Sequence, residues 1–151
     1  MSPTRRQLTE WLSTIEVKGS TLDIGGGIWS MRHKVKNFDG LYECKDEADF
    51  DLNILGSVWG IYQNVFCLEV MQFIYNPVAA CRNFNRILPI GGNLYITFRF
   101  LEERMLRGHD ALRYSRYAVE KILDRSGFKI IDIQEPTNDY YLVKAQKCSQ
   151  S

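Results

Sequence analysis

Thr21-Leu22-Asp23-Ile24-Gly25-Gly26-Gly27 is the segment around which the chain is organised. Thr21 to Ile24 reads as a short buried strand with one carboxylate near its end. The three glycines behind it permit sharp backbone dihedrals and close approach of a ligand, because no Cβ stands in the way. Ser30 to Lys36, which follows, is compatible with a helix. Strand, glycine turn and helix in that order build the ligand site at the carboxyl ends of strands in open α/β sheets. A glycine run after a strand is also an ordinary tight turn, so its meaning depends on the flanking chain.

Upstream, Thr4-Arg5-Arg6-Gln7 has the form of a capping box, and Leu8, Trp11, Leu12 and Ile15 recur at helical steps. A helix is expected over residues 4–17, ended by Lys18-Gly19-Ser20. Downstream, Asn37-Phe38-Asp39-Gly40 is a turn cluster, and Leu41 to Cys44 is a second strand that carries Glu43 at or near its end. No room remains for a full helix before Ala48 to Leu52, so that crossover is short or absent. Val65 to Leu68 is a continuous apolar run, as in a central strand covered on both faces. Pro77 suits a first helical position, and Val78, Cys81, Phe84 and Leu88 continue as an apolar stripe. Leu94 to Phe98 is the next strand. Ser115 can cap a helix with Ala118, Val119, Ile122 and Leu123 facing inward, and Gly127 fits its left-handed end. Phe128 to Ile133 and Tyr140 to Val143 are joined by a short polar loop containing Pro136, too short for a parallel crossover, so they pair antiparallel.

The length of 151 residues suits one domain with a single core. A formal charge of +1 gives no reason to expect nucleic acid as a partner. Cys44, Cys67, Cys81 and Cys148 form no CxxC pair and no metal-ligand spacing with either histidine; they read as reduced thiols of a cytoplasmic protein without a metal. No apolar run approaches the length of a membrane span, and no apolar segment follows Arg5-Arg6 as a secretory signal requires.

The order of elements and several motifs together resemble the class I S-adenosylmethionine-dependent methyltransferases. The motifs are Asp23-Ile24-Gly25-Gly26-Gly27, then Asn64 to Val70, Asn76-Pro77-Val78-Ala79-Ala80, Asn85-Arg86-Ile87-Leu88-Pro89-Ile90-Gly91-Gly92 running into Asn93-Leu94-Tyr95-Ile96, and Ser126-Gly127-Phe128. The resemblance spans Thr21 to Lys144. The pattern departs at Trp29, where a third spaced glycine is common, at Gln63 in place of an aspartate, at Gln72-Phe73 in place of Glu-His, and at Pro89, one position early.

The resemblance implies an α/β, Rossmann-like three-layer sandwich, with a mostly parallel sheet and an antiparallel carboxyl-terminal strand. It places the cofactor half at residues 21–98 and an acceptor-side segment with the terminal hairpin at 99–147. It implies S-adenosylmethionine as cofactor and S-adenosylhomocysteine as product. Asp23, Gly25, Gly26 and Gly27 would order the turn around the methionine end, and Glu43 would accept the ribose hydroxyls, with Asp46 and Glu47 as competitors. Asp51, Leu52 and Asn53 would lie at adenine, and Cys67, Leu68 and Glu69 beside the sulfonium. Arg99 to Tyr117, rich in arginine, would shape the pocket for a small polar or anionic acceptor, with His109 as general base and Tyr114 orienting the acceptor. Two alternatives stay open: a methyltransferase-like binding or scaffold protein without turnover, and an NAD-dependent Rossmann oxidoreductase. Against the last, the glycines do not follow G-x-G-x-x-G. The oligomeric state is left open.

Overall fold

The computed structural model describes residues 3–26, 30–100, 110–137 and 140–148. Its centre is a six-stranded sheet in the spatial order β4-β2-β5-β6-β8-β7. These strands are β2 (Thr21–Ile24), β4 (Tyr42–Lys45), β5 (Asn64–Cys67), β6 (Asn93–Arg99), β7 (Phe128–Thr137) and β8 (Tyr140–Lys147). The first four are parallel, and β8 lies antiparallel between β6 and β7. Two short strands, β1 (Glu16–Lys18) and β3 (Asn37–Asp39), pair in parallel just ahead of β2 and β4. Hydrogen bonds from Gly19 N to the Asp39 carbonyl and from Thr21 N to the Leu41 carbonyl bridge the two sheets, so β1–β2 and β3–β4 run as two kinked ribbons side by side.

Alternation along the strands sorts side chains to two faces. Leu22, Val65, Cys67, Leu94, Ile96 and Val143 face helices α2 (Pro77–Ile87) and α3 (Arg116–Arg125). Phe66, Tyr95, Tyr140 and Leu142 face the opposite side, under Leu8, Trp11 and Leu12 of α1 (Pro3–Leu12). Tyr95 is the pivot there: it stacks on Phe66 at 4.4 Å between centroids and meets Trp11 edge-on at 6.1 Å. Such aromatic pairs add about 0.5–1.5 kcal/mol each beyond their buried area.

Local chemistry places most ends where the sequence puts them. Pro77 opens α2, Ser115 accepts from Ala118 N as the cap of α3, and Gly127 takes a φ of +84° beyond its end. Besides residues 37–39, a strand where a turn is expected, four expectations need correction. The first helix stops at Leu12 instead of residue 17: the Ser13 and Thr14 hydroxyls bond back to the Glu10 and Trp11 carbonyls, and residues 16–18 are drawn into β1. The helix start at Pro3 puts Thr4 inside the first turn, so it is not the cap. Ser30 to Lys36 forms only a 3-10 turn, Met31–His33, because Lys36 N bonds the Ile15 carbonyl and the chain enters β3 at once. Pro136 belongs to β7 and not to a loop, which suits proline because β7 is an edge strand with irregular register there.

The crossover from β4 to β5, residues 46–63, contains neither helix nor strand. Asn83, buried on α2, holds it instead: its amide donates to the Leu52 and Ile54 carbonyls, and its carbonyl accepts from Gly56 N. Nothing in the sequence around Asn83 marks this role, since an asparagine within a helix reads as a surface residue.

Candidate active site

The register of the parallel strands brings Ile24, Lys45 and Cys67 to one edge of the sheet, so the loops after β2, β4 and β5 start side by side. Asp23 is 1% exposed. Its Oδ2 accepts from the Tyr42 hydroxyl at 2.7 Å and from Met31 N at 3.3 Å, and Ser30 in turn donates to the Tyr42 oxygen at 2.8 Å. Burial pushes the Asp23 carboxyl up to about 6, against the opposing pull of Tyr42, the Met31 amide and Lys34. Gly25 has a φ of +69°, and its amide donates to the Lys45 carbonyl at 2.7 Å. A Cβ on Gly26 would overlap the Asp23 carboxylate, so the turn is bare backbone wrapped on a buried acid. Gly27 lies outside the described residues, as does Trp29.

Glu43 stands opposite Leu22, two residues before the end of β4, and its carboxylate accepts from the Tyr62 hydroxyl at 2.5 Å. Asp46 is the first residue past the strand; its Oδ1 accepts from Ala48 N and its own amide donates to Asp49, closing a local turn after Lys45, whose carbonyl holds Gly25 N. Asp51 accepts from Asn53 N and its side-chain amide, closing a local turn, while Leu52 is buried in the core. Asn53 accepts from the amides of Tyr75 and Asn76, tying the crossover to the start of α2. Cys67 is wholly buried at the end of β5, and burial holds its thiol well above the ordinary range, as a packing residue and not a nucleophile. Leu68 is buried beside it on the α1 side of the sheet.

Glu69 is the residue whose importance the sequence understates. Its φ of +63° makes it the one non-glycine with positive φ among the described residues. Such a backbone costs of order 1–3 kcal/mol and persists where neighbours over-determine it. They do so here. Arg99 Nη2 and Nε donate to Oε2 at 2.7 and 3.0 Å, the Tyr140 hydroxyl donates to Oε1 at 2.7 Å, and Glu69 N donates to the Thr97 hydroxyl. Gln72, at the departure from Glu-His, is buried; its side-chain amide nitrogen donates to the Glu69 carbonyl, and its main-chain carbonyl accepts from the amides of Ala111 and Leu112.

Tyr114, expected to orient the acceptor, is turned inward just past the ends of β5 and β6. It is a core residue, 2% exposed, packed edge-on against Phe98, and its hydroxyl donates to the Met71 carbonyl at 2.8 Å. An apolar environment around the ring and a backbone acceptor within reach explain why it turned inward. The described arginines of the acceptor-side segment are each held by a carboxylate: Arg99 by Glu69, Arg113 by Asp110 at 2.6 Å, and Arg116 by Glu120 at 3.0 Å. His109, Arg104 and Arg107 lie outside the described residues. A cavity of about 550 Å³ between the end of α1 and the sheet, lined by Trp11, Lys36, Tyr95, Asp132 and Lys144, includes none of the residues at the carboxyl edge. No group of His, Cys, Asp and Glu among the described residues is arranged to hold a metal, and the described cysteines form no disulfide. No described helix is long and apolar enough to cross a membrane.

No protein-family model and no curated protein matches the sequence. Solved structures do match in shape. An S-adenosylmethionine-dependent methyltransferase from Mesorhizobium loti superposes with a TM-score of 0.67 at 15% identity, over 97% of this chain and 99% of that one. The magnesium protoporphyrin IX methyltransferase of Synechocystis, solved with S-adenosylhomocysteine bound, gives 0.61 at 16% identity, over 95% and 82%. The [4+2]-cyclase SpnF gives 0.63 at 13% identity, over 95% and 82%, so the same fold also carries a different chemistry. Sheet order, the antiparallel β8 and these superpositions agree: the chain has the fold of the class I S-adenosylmethionine-dependent methyltransferases.

Proposed function

We propose that this protein binds S-adenosylmethionine at the carboxyl edge of β2, β4 and β5 and transfers its methyl group to a small polar acceptor. The turn after β2 carries the reading: a buried acid, Asp23, beneath bare glycine backbone at the end of a central strand. That arrangement suits a ligand with an ammonium group, because the carboxylate supplies negative potential and the glycines let the ligand approach the main chain. Bound there, S-adenosylmethionine would supply an electrophilic methyl carbon on its sulfonium, so that an acceptor lone pair could bond to that carbon as the C–S bond breaks and the neutral thioether leaves.

The chain's own share is positioning, which suffices for much of such a displacement. Asp23 fixes the turn through Met31 and Tyr42. Asp46, the first residue after β4, is the acid we assign to the ribose hydroxyls: its Oδ1 accepts a local bond from Ala48 N, whereas Glu43 lies within the strand and is held by Tyr62, 19 positions away. The turn of Asp51 to Asn53 is assigned to adenine and the end of β5, Cys67 and Leu68, to the sulfonium side. For an acceptor that carries a proton at neutral pH, His109 is the proposed base, because an imidazole titrates in the useful range.

A second reading, a binding or scaffold protein without turnover, draws on the arginines: Arg99, Arg113 and Arg116 spend their charge on carboxylates of the chain itself. Calorimetric titration with S-adenosylmethionine, S-adenosylhomocysteine and NAD tests the cofactor. Heat with the first two and none with NAD is expected; the reverse refutes the proposal. Release of S-adenosylhomocysteine across a panel of small acceptors then separates enzyme from binder.

A further inference from the structure

We propose that the cavity between the end of α1 and the sheet is a second ligand site, which takes a flat aromatic carboxylate. It lies apart from the carboxyl edge assigned to the methyl donor, so the inference does not depend on methyl transfer. The cavity holds about 550 Å³, a size usual for small-molecule sites, and Trp11 and Tyr95 form its aromatic lining. Tyr95 is 2% exposed and Trp11 5%. Packing fixes both rings, since Tyr95 stacks on Phe66 and Trp11 meets it edge-on. Their polar tips are left over. Among the described residues, neither the Tyr95 hydroxyl nor the Trp11 indole N–H has a hydrogen-bond partner. Buried tyrosine and tryptophan tips ordinarily find one. The other buried tyrosines of this chain do: Tyr62 donates to Glu43, Tyr114 to the Met71 carbonyl and Tyr140 to Glu69, while Tyr141 takes the Arg116 amide. Burial alone pushes the Tyr95 phenol up to about 12, so it remains a donor at neutral pH. Two buried donors therefore line one cavity and lack an acceptor.

The charges around them select an anion. Both acids of the lining are engaged by the chain itself. Glu16 takes Lys36 at 3.7 Å and the Asn37 amide at 3.3 Å, and Asp132 accepts from Gln134 at 3.0 Å. Lys144 stands opposite Asp132 in the β7–β8 ladder, yet the two form no ion pair. Its ammonium lies instead 5.8 Å from the centre of the Tyr95 ring. It is partly buried and, among the described residues, the lining charge without a counter-ion. A carboxylate accepts through several lone pairs, which suits an ammonium, a phenol and an indole N–H together, and its charge strengthens each bond. A flat apolar body matches the aromatic walls and Ile15. A cationic ligand would leave all three donors unanswered, and a neutral one would leave the ammonium without its counter-charge.

Naphthoate, two fused rings bearing one carboxylate, is the probe, and naphthamide is its neutral isostere. Calorimetry reads affinity, and proton–nitrogen correlation spectra read the three indole N–H groups of the full chain, with Trp11 assigned through Trp11→Phe. Naphthoate is expected to saturate with a Kd below about 1 mM and to shift the Trp11 N–H resonance. Naphthamide binds at least about tenfold more weakly, because it does not answer the Lys144 charge. Lys144→Gln lowers naphthoate affinity by a similar factor and leaves naphthamide unchanged. Tyr95→Phe keeps the stacked ring, removes the hydroxyl and weakens naphthoate several-fold; with the amide comparison it carries the test if Lys144→Gln fails to fold by circular dichroism. Saturating S-adenosylhomocysteine leaves naphthoate binding intact, an outcome that also holds if the protein binds no S-adenosylhomocysteine at all. No saturation by naphthoate at millimolar concentration overturns the proposal. So does equal affinity for the amide, indifference to Tyr95→Phe and Lys144→Gln, or displacement by S-adenosylhomocysteine.

Discussion

Asp23→Asn gives the most direct test of the site's electrostatics. The carboxyl is 1% exposed, and burial outweighs its hydrogen bonds from Tyr42 and Met31, so it titrates near 6 in place of its ordinary 3.8. In the native state the group keeps its proton to higher pH than in the unfolded chain. Between those two values the native state therefore binds more protons, and stability falls as pH rises through the window, levelling above it. At 1.36 kcal/mol per pH unit, the ionised acid costs the fold about 3 kcal/mol at neutral pH. Asparagine keeps a side-chain oxygen for Tyr42 or Met31 and does not titrate. Urea unfolding of both proteins, from about pH 4 to about pH 8, reads the difference. The variant's stability relative to the native sequence should rise by about 3 kcal/mol up to about pH 7 and then hold constant. A difference flat in pH, or one that grows toward acid, would show that hydrogen bonding and not burial governs this carboxyl.

Three further outcomes are expected. Gly25→Val abolishes binding of S-adenosylhomocysteine in calorimetry, because a branched side chain must adopt a φ of +69° and its Cβ would meet Val70 at 3.0 Å; unchanged binding places the ligand elsewhere. Asp46→Ala weakens that binding by roughly 1.5–3 kcal/mol, the worth of hydrogen bonds to a charged group, whereas Glu43→Ala leaves it within about 0.5 kcal/mol; the opposite pattern returns the ribose to Glu43. Glu69→Gln destabilises the fold by roughly 1.5–3 kcal/mol in urea unfolding, because it leaves the mostly buried Arg99 guanidinium without its carboxylate; an unchanged midpoint and slope would mean that Arg99 finds a replacement.

The sequence by itself determined the parts of this protein that local chemistry controls. The apolar run Val65 to Leu68 has to be buried wherever it goes, Pro77 and Ser115 start helices by their own backbone and side-chain preferences, and Gly127 ends one. With the Asp23 glycine turn these already defined an α/β sheet with an antiparallel carboxyl-terminal pair. Tertiary structure decided whatever depends on a distant partner. Residues 16–18 and 37–39 left their expected helix and turn because each completes the other's ladder. Tyr114 became a core residue because the Met71 carbonyl, 43 positions earlier, lay within reach of its hydroxyl. Glu69 shows the limit most clearly. A glutamate after a strand carries no mark of a left-handed backbone; that conformation exists because Arg99, 30 positions on, and Tyr140, 71 positions on, hold its carboxylate. Spacing along the chain encodes faces and turns, but such pairings become visible only when the sheet has brought the ends of β5, β6 and β8 together.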